Sequence, residues 1–378
     1  MSQAFQTIIN QLQSQFLAKD EAIRMMMVAA VAGEHMVLVG PPGTAKSALV
    51  RNFAQKVNAA YFEYLLTRFS EPNELFGPVD IQAYREGTYR RVTEGMLPEA
   101  EIVFLDEAFK ANSAILNTLL AIMNERRFKN GTQTIQVPLI SLFAASNEVP
   151  SDEGLDAIYD RFLLRVYSDN LDSYYFQSLL ERGLNFEKSR LAPKEEVAPR
   201  ALSSKELRET QRTLLENVTF PENFKSAYKN LCFQLRGEGI SFSDRRLIRF
   251  MKLFAAHAVI DGRNEVHEGD LTVLKHSWNN LDQRKVLSDL IDPVLQQFYV
   301  EHPHLQQKKN IVSLEQLAEE LQLVRKIVLQ AEEVSDIQLF TQLRHLGDIR
   351  KALLLEDSDM GRRLLTEAEN LLSQVFDR

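Results

Sequence analysis

The stretch that most constrains the fold is residues 35–56, which read HMVLVGPPGTAKSALVRNFAQK. A short apolar run ends in glycine, a loop of Gly and Pro follows, and apolar side chains then recur at helical spacing. This order predicts a buried strand, a tight loop and a helix. The free N–H groups at the start of such a helix point into the loop and form a site suited to phosphate.

The loop GPPGTAKS nearly matches the phosphate-binding pattern G-x-x-x-x-G-K-[ST], with Ala45 where the second glycine is expected. Lys46 provides a charge for the β- and γ-phosphates, and Ser47 provides a hydroxyl for Mg²⁺. We expect Gly40 and Gly43 to adopt the unusual backbone angles, which would leave Ala45 in an ordinary helical conformation. The expected nucleotide contacts are Gly40, Pro41, Pro42, Gly43, Thr44, Ala45, Lys46 and Ser47.

Acidic and amide side chains follow two further apolar runs. The run IVFLDE ends in Asp106, predicted to join Ser47 in the Mg²⁺ shell, and Glu107, predicted to polarise the attacking water. The alternative is that both acids are solvated and cap the next helix. The run LISLFAASNE ends near Asn147, whose amide could orient the water; by itself this signal also fits a turn residue.

The remaining sequence predicts an α/β fold followed by helices. A fourth apolar run, RFLLRVYS, completes strands that alternate with helices, and FKNGTQTIQVP predicts a hairpin with its turn at Asn130. A capping box at Ser203 and Glu206 begins a region without strands. A similar cap is expected at Ser313. Three domains are predicted: an α/β domain at residues 1–184, a helical domain at 185–280 that begins with a linker, and a helical C-terminal domain at 281–378.

The overall composition is that of a globular protein, with 45% hydrophobic and 25% charged residues. The net charge of −8 weighs against a general nucleic-acid binder. We expect no membrane span and no signal peptide, and a cytoplasmic location. The single cysteine, Cys232, is expected to be a buried thiol, and the seven histidines lack the spacing of a zinc site.

Several motifs in one order carry a family resemblance. GPPGTAKS, IVFLDE, AASNE and YDRF resemble the Walker A, Walker B, sensor 1 and arginine-finger motifs of AAA+ ATPases. TRFSEPNELFGP, EGTYRRVTEGMLPEAEIVFLDE and LLAIMNERRFKNG resemble the helix-2 insert and hairpin of the MoxR subfamily. Within that subfamily the sequence is most similar to the branch of regulatory ATPase variant A.

The resemblance implies a P-loop AAA+ parallel sheet with flanking helices, an all-α lid and an all-α C-terminal domain. It implies an ATPase that uses ATP and Mg²⁺, forms a homo-oligomeric, most commonly hexameric, ring, and remodels a protein client. Arg161 would be the finger inserted into the neighbouring subunit, and Arg245 would be sensor 2, contacting the γ-phosphate from the lid. Arg246 could exchange roles with Arg245.

The resemblance also implies a partner with a von Willebrand factor A domain. The variant A branch carries a β-rich insert, for which residues 281–378 offer no candidate. Two alternatives remain at this point. One is a nucleic-acid-stimulated motor or loader that uses Arg126, Arg127 and Lys129 of the hairpin. The other is a scaffold that binds ATP without turnover.

Overall fold

A computed structural model of the chain describes residues 2–150, 152–171, 173–176, 178–181, 183–184, 202–305, 314–330, 336–354 and 358–376. Most of the linker expected near residues 184–201, and the cap expected at Ser313, lie outside these residues.

The strands are β1 His35–Val39, β2 Tyr61–Leu65, β3 Ile102–Asp106, β4 Arg127–Asn130, β5 Gln133–Gln136, β6 Ser141–Ser146 and β7 Phe162–Tyr167. The helices up to residue 184 are α1 Ser2–Gln15, α2 Asp20–Ala32, α3 Lys46–Lys56, α4 Pro72–Phe76, α5 Ile81–Arg85, α6 Ser113–Glu125 and α7 Asp156–Tyr159. Later helices are α8 Ser204–Asn217, α9 Glu222–Gly237, α10 Asp244–Ile260, α11 Gln283–Glu301, α12 Leu314–Gln330, α13 Asp336–Leu353 and α14 Asp359–Phe376, with a 3-10 segment at Glu268–His276.

Five strands form one parallel sheet in the order β2–β3–β6–β1–β7. The predicted apolar strands β1, β3, β6 and β7 are confirmed, and β1 and β6 are buried throughout. Strand β2 was not predicted, because its residues, YFEYL, are half-exposed on an outermost strand of the sheet and lack an unbroken apolar run. The fold is the α/β arrangement expected, with helices packed around the sheet.

Parallel strands define two edges of the sheet, and the site described below depends on them. We call the edge where the strands end the carboxyl edge, and the edge where they begin the amino edge. The five residues of β1 separate the two edges by about 15 Å at the usual rise per residue. Because β6 lies between β1 and β3, the residues that follow these three strands are neighbours at the carboxyl edge.

The predicted hairpin, β4–β5, is held against the segment between β2 and β3. The Asn130 side chain accepts from the Arg91 N–H at 2.6 Å and donates to the Arg91 carbonyl at 3.0 Å, as a neighbouring strand would. Phe128 stacks on Phe76 of α4 with ring centroids 5.5 Å apart. The turn that begins at Asn130 is therefore fixed by tertiary contacts as well as by its sequence.

The chain divides into two compact units. The first contains residues 1–169 and 194–306, and thus the sheet together with α8–α11. The capping box at Ser203 and Glu206 is present and begins α8. In this unit α11, which the sequence analysis assigns to the C-terminal domain, packs against the 3-10 segment. The second unit contains residues 170–193 and 307–378, and α12–α14 bury Leu317, Leu321 and Ile349 at its centre.

In the described part of the chain, no helix combines the length and apolar character needed to cross a lipid bilayer. The Cys232 thiol lies partly buried on α9, and burial raises its pKa to about 11. The thiol is therefore protonated near neutral pH, in agreement with its expected role as a small packing group.

Candidate functional site

The predicted nucleotide loop, residues 40–47, joins β1 to α3 at the carboxyl edge of the sheet. The Gly40 N–H donates to the Ser146 carbonyl at 3.0 Å, which ties the loop to the end of β6. Gly40 has φ +150°, and a Cβ there would lie 2.1 Å from the Ser168 carbonyl oxygen. Only glycine fits this position, since any side chain would clash with backbone.

Ala45 has a left-handed conformation, with φ 60° and ψ 23°. The expectation that it would be ordinarily helical is therefore wrong, whereas Gly43 has the unusual positive φ, 81°, expected of it. The physical reason is that α3 begins only at Lys46, so residue 45 makes the turn into the helix. A left-handed conformation costs a residue with a Cβ about 1–2 kcal/mol, which glycine avoids.

Lys46 lies over the loop. Its Nζ donates to the carbonyls of Gly40 and Pro41 at 2.7 and 2.8 Å, and the side chain is buried. Burial lowers the pKa of the Lys46 ammonium, and the nearby carboxylates of Asp106 and Glu107 act in the opposite direction. Both predicted acids therefore favour the charged form of the lysine.

Glu107 is held by two other side chains. Asn147, directly after β6, donates its Nδ2 hydrogen to Glu107 Oε1 at 2.5 Å. Lys110 Nζ lies 3.3 Å from Glu107 Oε2. The backbone of Glu107 is left-handed, with φ 52°, so the chain turns sharply after β3 to present this carboxylate. The predicted pair Glu107 and Asn147 is therefore brought together, and Lys110 is a partner that sequence reasoning missed.

The donor set expected for Mg²⁺ is also at this edge. Asp106 ends β3 and Ser47 is the second residue of α3, so both follow elements at the carboxyl edge. One Asp106 oxygen, Oδ1, accepts from the Glu107 N–H at 3.0 Å. A hydroxyl and a carboxylate are oxygen ligands of the kind that Mg²⁺ prefers, with water and phosphate oxygens completing its shell.

Lys19 is a second buried cation beside the loop that the sequence analysis did not identify. Its Nζ donates to Ser168 Oγ at 2.9 Å and to the Asp169 carbonyl at 3.0 Å. Ser168 is also the residue whose carbonyl packs under Gly40. Burial and the charge of Lys46 both lower the pKa of Lys19. Because its two acceptors follow β7, no local pattern around residue 19 predicts this position.

Arg161 and Arg245 both lie at the amino edge. Arg161 directly precedes β7, and burial and the charge of Arg245 lower its pKa. Arg245, in the first turn of α10, donates to Asn124 Oδ1 at 3.0 Å. Asn124 is near the start of β1, because the carbonyl of its neighbour Met123 lies 3.2 Å from Nε2 of His35, the first residue of that strand. The first turn of α10 therefore lies at the edge opposite the phosphate-binding loop of the same chain.

The structure distinguishes Arg245 from Arg246. Arg245 is exposed, whereas Arg246 is buried and donates to the Ser277 carbonyl at 2.9 Å and to Asn279 Oδ1 at 3.0 Å. The guanidinium of Arg246 therefore donates within its own chain. Of the two adjacent arginines, Arg245 is therefore the one available to a group outside the subunit.

Arg126, proposed in the nucleic-acid alternative, has a structural role. It follows α6 and donates to the carbonyls of Gly33, at 2.7 Å, and Met123. Burial lowers its pKa to about 10. Arg127 and Lys129 are exposed on β4, so the basic group expected on the hairpin is reduced from three residues to two.

His257, Asp261 and Asp270 lie close enough together to bind a metal ion. However, Arg24 binds Asp261 at 2.7 Å and Arg263 binds Asp270 at 2.6 Å. The arginines already supply the positive charge that these carboxylates require. The cluster is therefore an ion-pair network that joins α2 to α10 and to the 3-10 segment.

Two family models match the chain. The MoxR domain in the MoxR-vWA-beta-propeller ternary systems matches residues 3–209, and an AAA lid domain matches residues 226–291. The boundary between these matches falls near the beginning of α9, after the sheet and before the helices that carry Arg245. The first match thus covers the sheet with the nucleotide loop, and the second covers α9, α10 and the 3-10 segment.

The chain is also similar to individual proteins. An uncharacterized protein of Methanocaldococcus jannaschii is 41% identical over 279 residues, covering 73% of this chain and 72% of that protein. The chaperone MoxR1 of Mycobacterium tuberculosis is 28% identical over 154 residues, 40% of each chain. The crystal structure of a candidate ATPase from Cytophaga hutchinsonii has a TM-score of 0.61 at 18% identity, covering 78% of this chain and 94% of that one.

Proposed function

Because the chain belongs to the MoxR family of AAA+ ATPases, we propose that it hydrolyses ATP in a ring of its own copies and remodels a protein client. The main support for ATP hydrolysis is the contact between Glu107 and Asn147 at the carboxyl edge, where the nucleotide loop also lies. A carboxylate held by an amide, beside a phosphate-binding loop, is the arrangement needed to hold and polarise an attacking water.

Each residue of the carboxyl edge has one task in this proposal. The loop N–H groups and Lys46 bind the phosphates, and Glu107 accepts the proton of the attacking water. Asn147 keeps the Glu107 carboxylate oriented. Ser47 and Asp106 would hold Mg²⁺, which, when bound, neutralises the charge on the β- and γ-phosphate oxygens.

A ring is proposed because the arginines lie at the wrong edge to serve their own chain. Arg161 and Arg245 are at the amino edge, and the buried Nε of Arg161 has no hydrogen-bond partner among the described residues. We assign both arginines to the nucleotide site of the neighbouring subunit, where Arg245 would keep its expected role as sensor 2. A hexamer is the stoichiometry that the family resemblance favours.

Client remodelling and the partner rest on the relatives. One relative is named a chaperone, and the matching family model is described for systems that contain a vWA component. We therefore propose a protein client and a partner with a von Willebrand factor A domain. From residue 283 onward the described residues form helices and no strand, so we do not extend the partners of the variant A branch's β-rich insert to this chain.

Mixed rings test the shared site. In rings of Arg161→Ala protomers alone, ATP turnover should fall about 10³-fold or more, because an arginine finger usually accelerates hydrolysis by at least that factor. Mixing them with Glu107→Gln protomers should restore ATP hydrolysis, because an interface can then join an intact Glu107 to an intact Arg161. Failure of this rescue in rings shown to be mixed would contradict a finger acting between subunits.

A second mixture tests Arg245. If Arg161 and Arg245 both act on the neighbour, mixing Arg161→Ala with Arg245→Ala should restore nothing, because neither protomer supplies both arginines. If Arg245 instead serves its own chain, that mixture should regain activity. The Glu107→Gln variant, loaded with ATP, also provides a trap with which to isolate the client.

A further inference from the structure

A single carboxylate lies between the proposed finger and a buried arginine of the lid. Asp160 Oδ2 is 3.9 Å from Arg161 Nη1, and Asp160 Oδ1 is 3.7 Å from Arg246 Nε. The Nε atoms of both arginines are buried without a hydrogen-bond partner among the described residues. Asp160 is thus the group that both guanidiniums face.

Arg246 is fixed by the lid. Besides its bonds to Ser277 and Asn279, its guanidinium lies over the rings of Phe242 and Phe250, 5.0 and 5.5 Å from their centroids. Its side chain is only 4% exposed. A guanidinium held by two acceptors and two aromatic faces has little rotational freedom, so its position follows that of the residues around it.

The lid loop at residues 277–279 also contacts the sheet. Asn279 Oδ1 accepts from Arg165 Nη1 of β7 at 2.6 Å, in addition to its bond from Arg246. Arg165 Nη2 in turn donates to the Tyr159 carbonyl at 3.1 Å, next to Asp160. One amide oxygen therefore joins a lid helix to the strand that begins after the finger.

We propose that Asp160 is a positioning residue: it sets the orientation of Arg161 from the lid of the same subunit, through Arg246 and the loop 277–279. A movement of that loop would displace Arg246, and Asp160 would transmit the displacement to the finger. Lid position in one subunit would then control hydrolysis in the next. This inference rests on the proposed function, since it requires Arg161 to act in a neighbouring site.

Charge in the surroundings explains why the carboxylate matters. Arg161 also lies within the influence of Arg245 and Arg249, both of which repel it. Asp160 offsets that repulsion, and at 40% exposure its attraction is partly screened by water. We therefore expect its removal to affect the orientation of Arg161 more than the stability of the fold.

The test is Asp160→Asn in the full chain, with ATP turnover measured in assembled rings. We expect kcat to fall about tenfold, because displacing a reacting group by about 1 Å can cost up to 10²-fold, while KM for ATP stays unchanged. Mixing with Glu107→Gln should restore turnover, since the defect lies in the finger that is supplied. Asp160→Glu, which keeps the charge, should retain more activity than Asp160→Asn.

Asp156→Asn is the matched control, an exposed acid on the preceding turn of α7 that should behave as wild type. Wild-type kcat in Asp160→Asn would overturn the inference. So would a loss that mixing does not restore, where the loss in Arg161→Ala is restored. If Arg161→Ala itself is not restored, the proposed function fails and the inference fails with it.

Discussion

The two edges of the sheet hold their charged groups in different ways. At the carboxyl edge, Lys46 and Glu107 are presented by short loops whose backbone includes left-handed residues, and the Glu107 carboxylate contacts the side chains of Asn147 and Lys110. Towards the amino edge, Arg246 and Arg165, the fourth residue of β7, are buried, and both donate to the distant Ser277 carbonyl. The first edge places charge where a ligand can reach it, at a cost in backbone strain.

This difference separates activity from stability. A substitution at the carboxyl edge removes a group that contacts the proposed ligand and little of the core. A substitution among the buried arginines removes hydrogen bonds that join the sheet to the lid. The comparison predicts that two superficially similar changes, each deleting one positive charge, will have opposite consequences.

The largest effect is expected from Lys46→Ala. Two charged hydrogen bonds to phosphate are worth about 3–6 kcal/mol, so ATP affinity should fall about 10²- to 10⁴-fold. The free energy of unfolding without nucleotide should change little, because the carbonyls that accept from Lys46 belong to its own loop. Nucleotide titration followed by fluorescence checks the affinity, with Lys56→Ala on the same helix as control. Undiminished affinity in Lys46→Ala would refute the assignment of the loop.

Arg165→Met should have the reverse pattern. Its loss leaves buried acceptors at Tyr159 and Trp278 short of a donor, at about 1–3 kcal/mol each. We expect the free energy of unfolding to fall by about 2–4 kcal/mol, and the ATP affinity of folded protein to be retained. Urea denaturation measures this. The control Arg51→Met removes an exposed pair with Glu63 and should cost less than about 1 kcal/mol. Equal losses of unfolding free energy in Arg165→Met and Arg51→Met would contradict the proposed difference between the two edges.

The same contrast explains what could be read from the sequence. The carboxyl edge is built from contiguous motifs, so Lys46, Asp106 and Glu107 could be placed before any coordinates, and Asn147 followed from the adjacency of strands. The amino edge is built from segments near residues 34, 124, 161, 245 and 279, which no local pattern connects. The roles expected of Arg161 and Arg245 therefore rested on the family resemblance, and Lys19, whose partner Ser168 lies 149 residues away, was not identified.

The smallest effect is expected from Ala45→Gly, which tests the backbone strain at the carboxyl edge most directly. Relief of a left-handed alanine gains about 1–2 kcal/mol, and the greater freedom of glycine in the unfolded chain returns about 0.4–1 kcal/mol. We expect a net gain of about 0.5–1 kcal/mol in unfolding free energy. ATP affinity should stay unchanged if the nucleotide-bound loop keeps this conformation, because the free and bound states are then stabilised equally. Ala48→Gly, two residues into α3, should instead lose about 1 kcal/mol. A loss in both variants would show that residue 45 is helical in solution and that the loop carries no strain there.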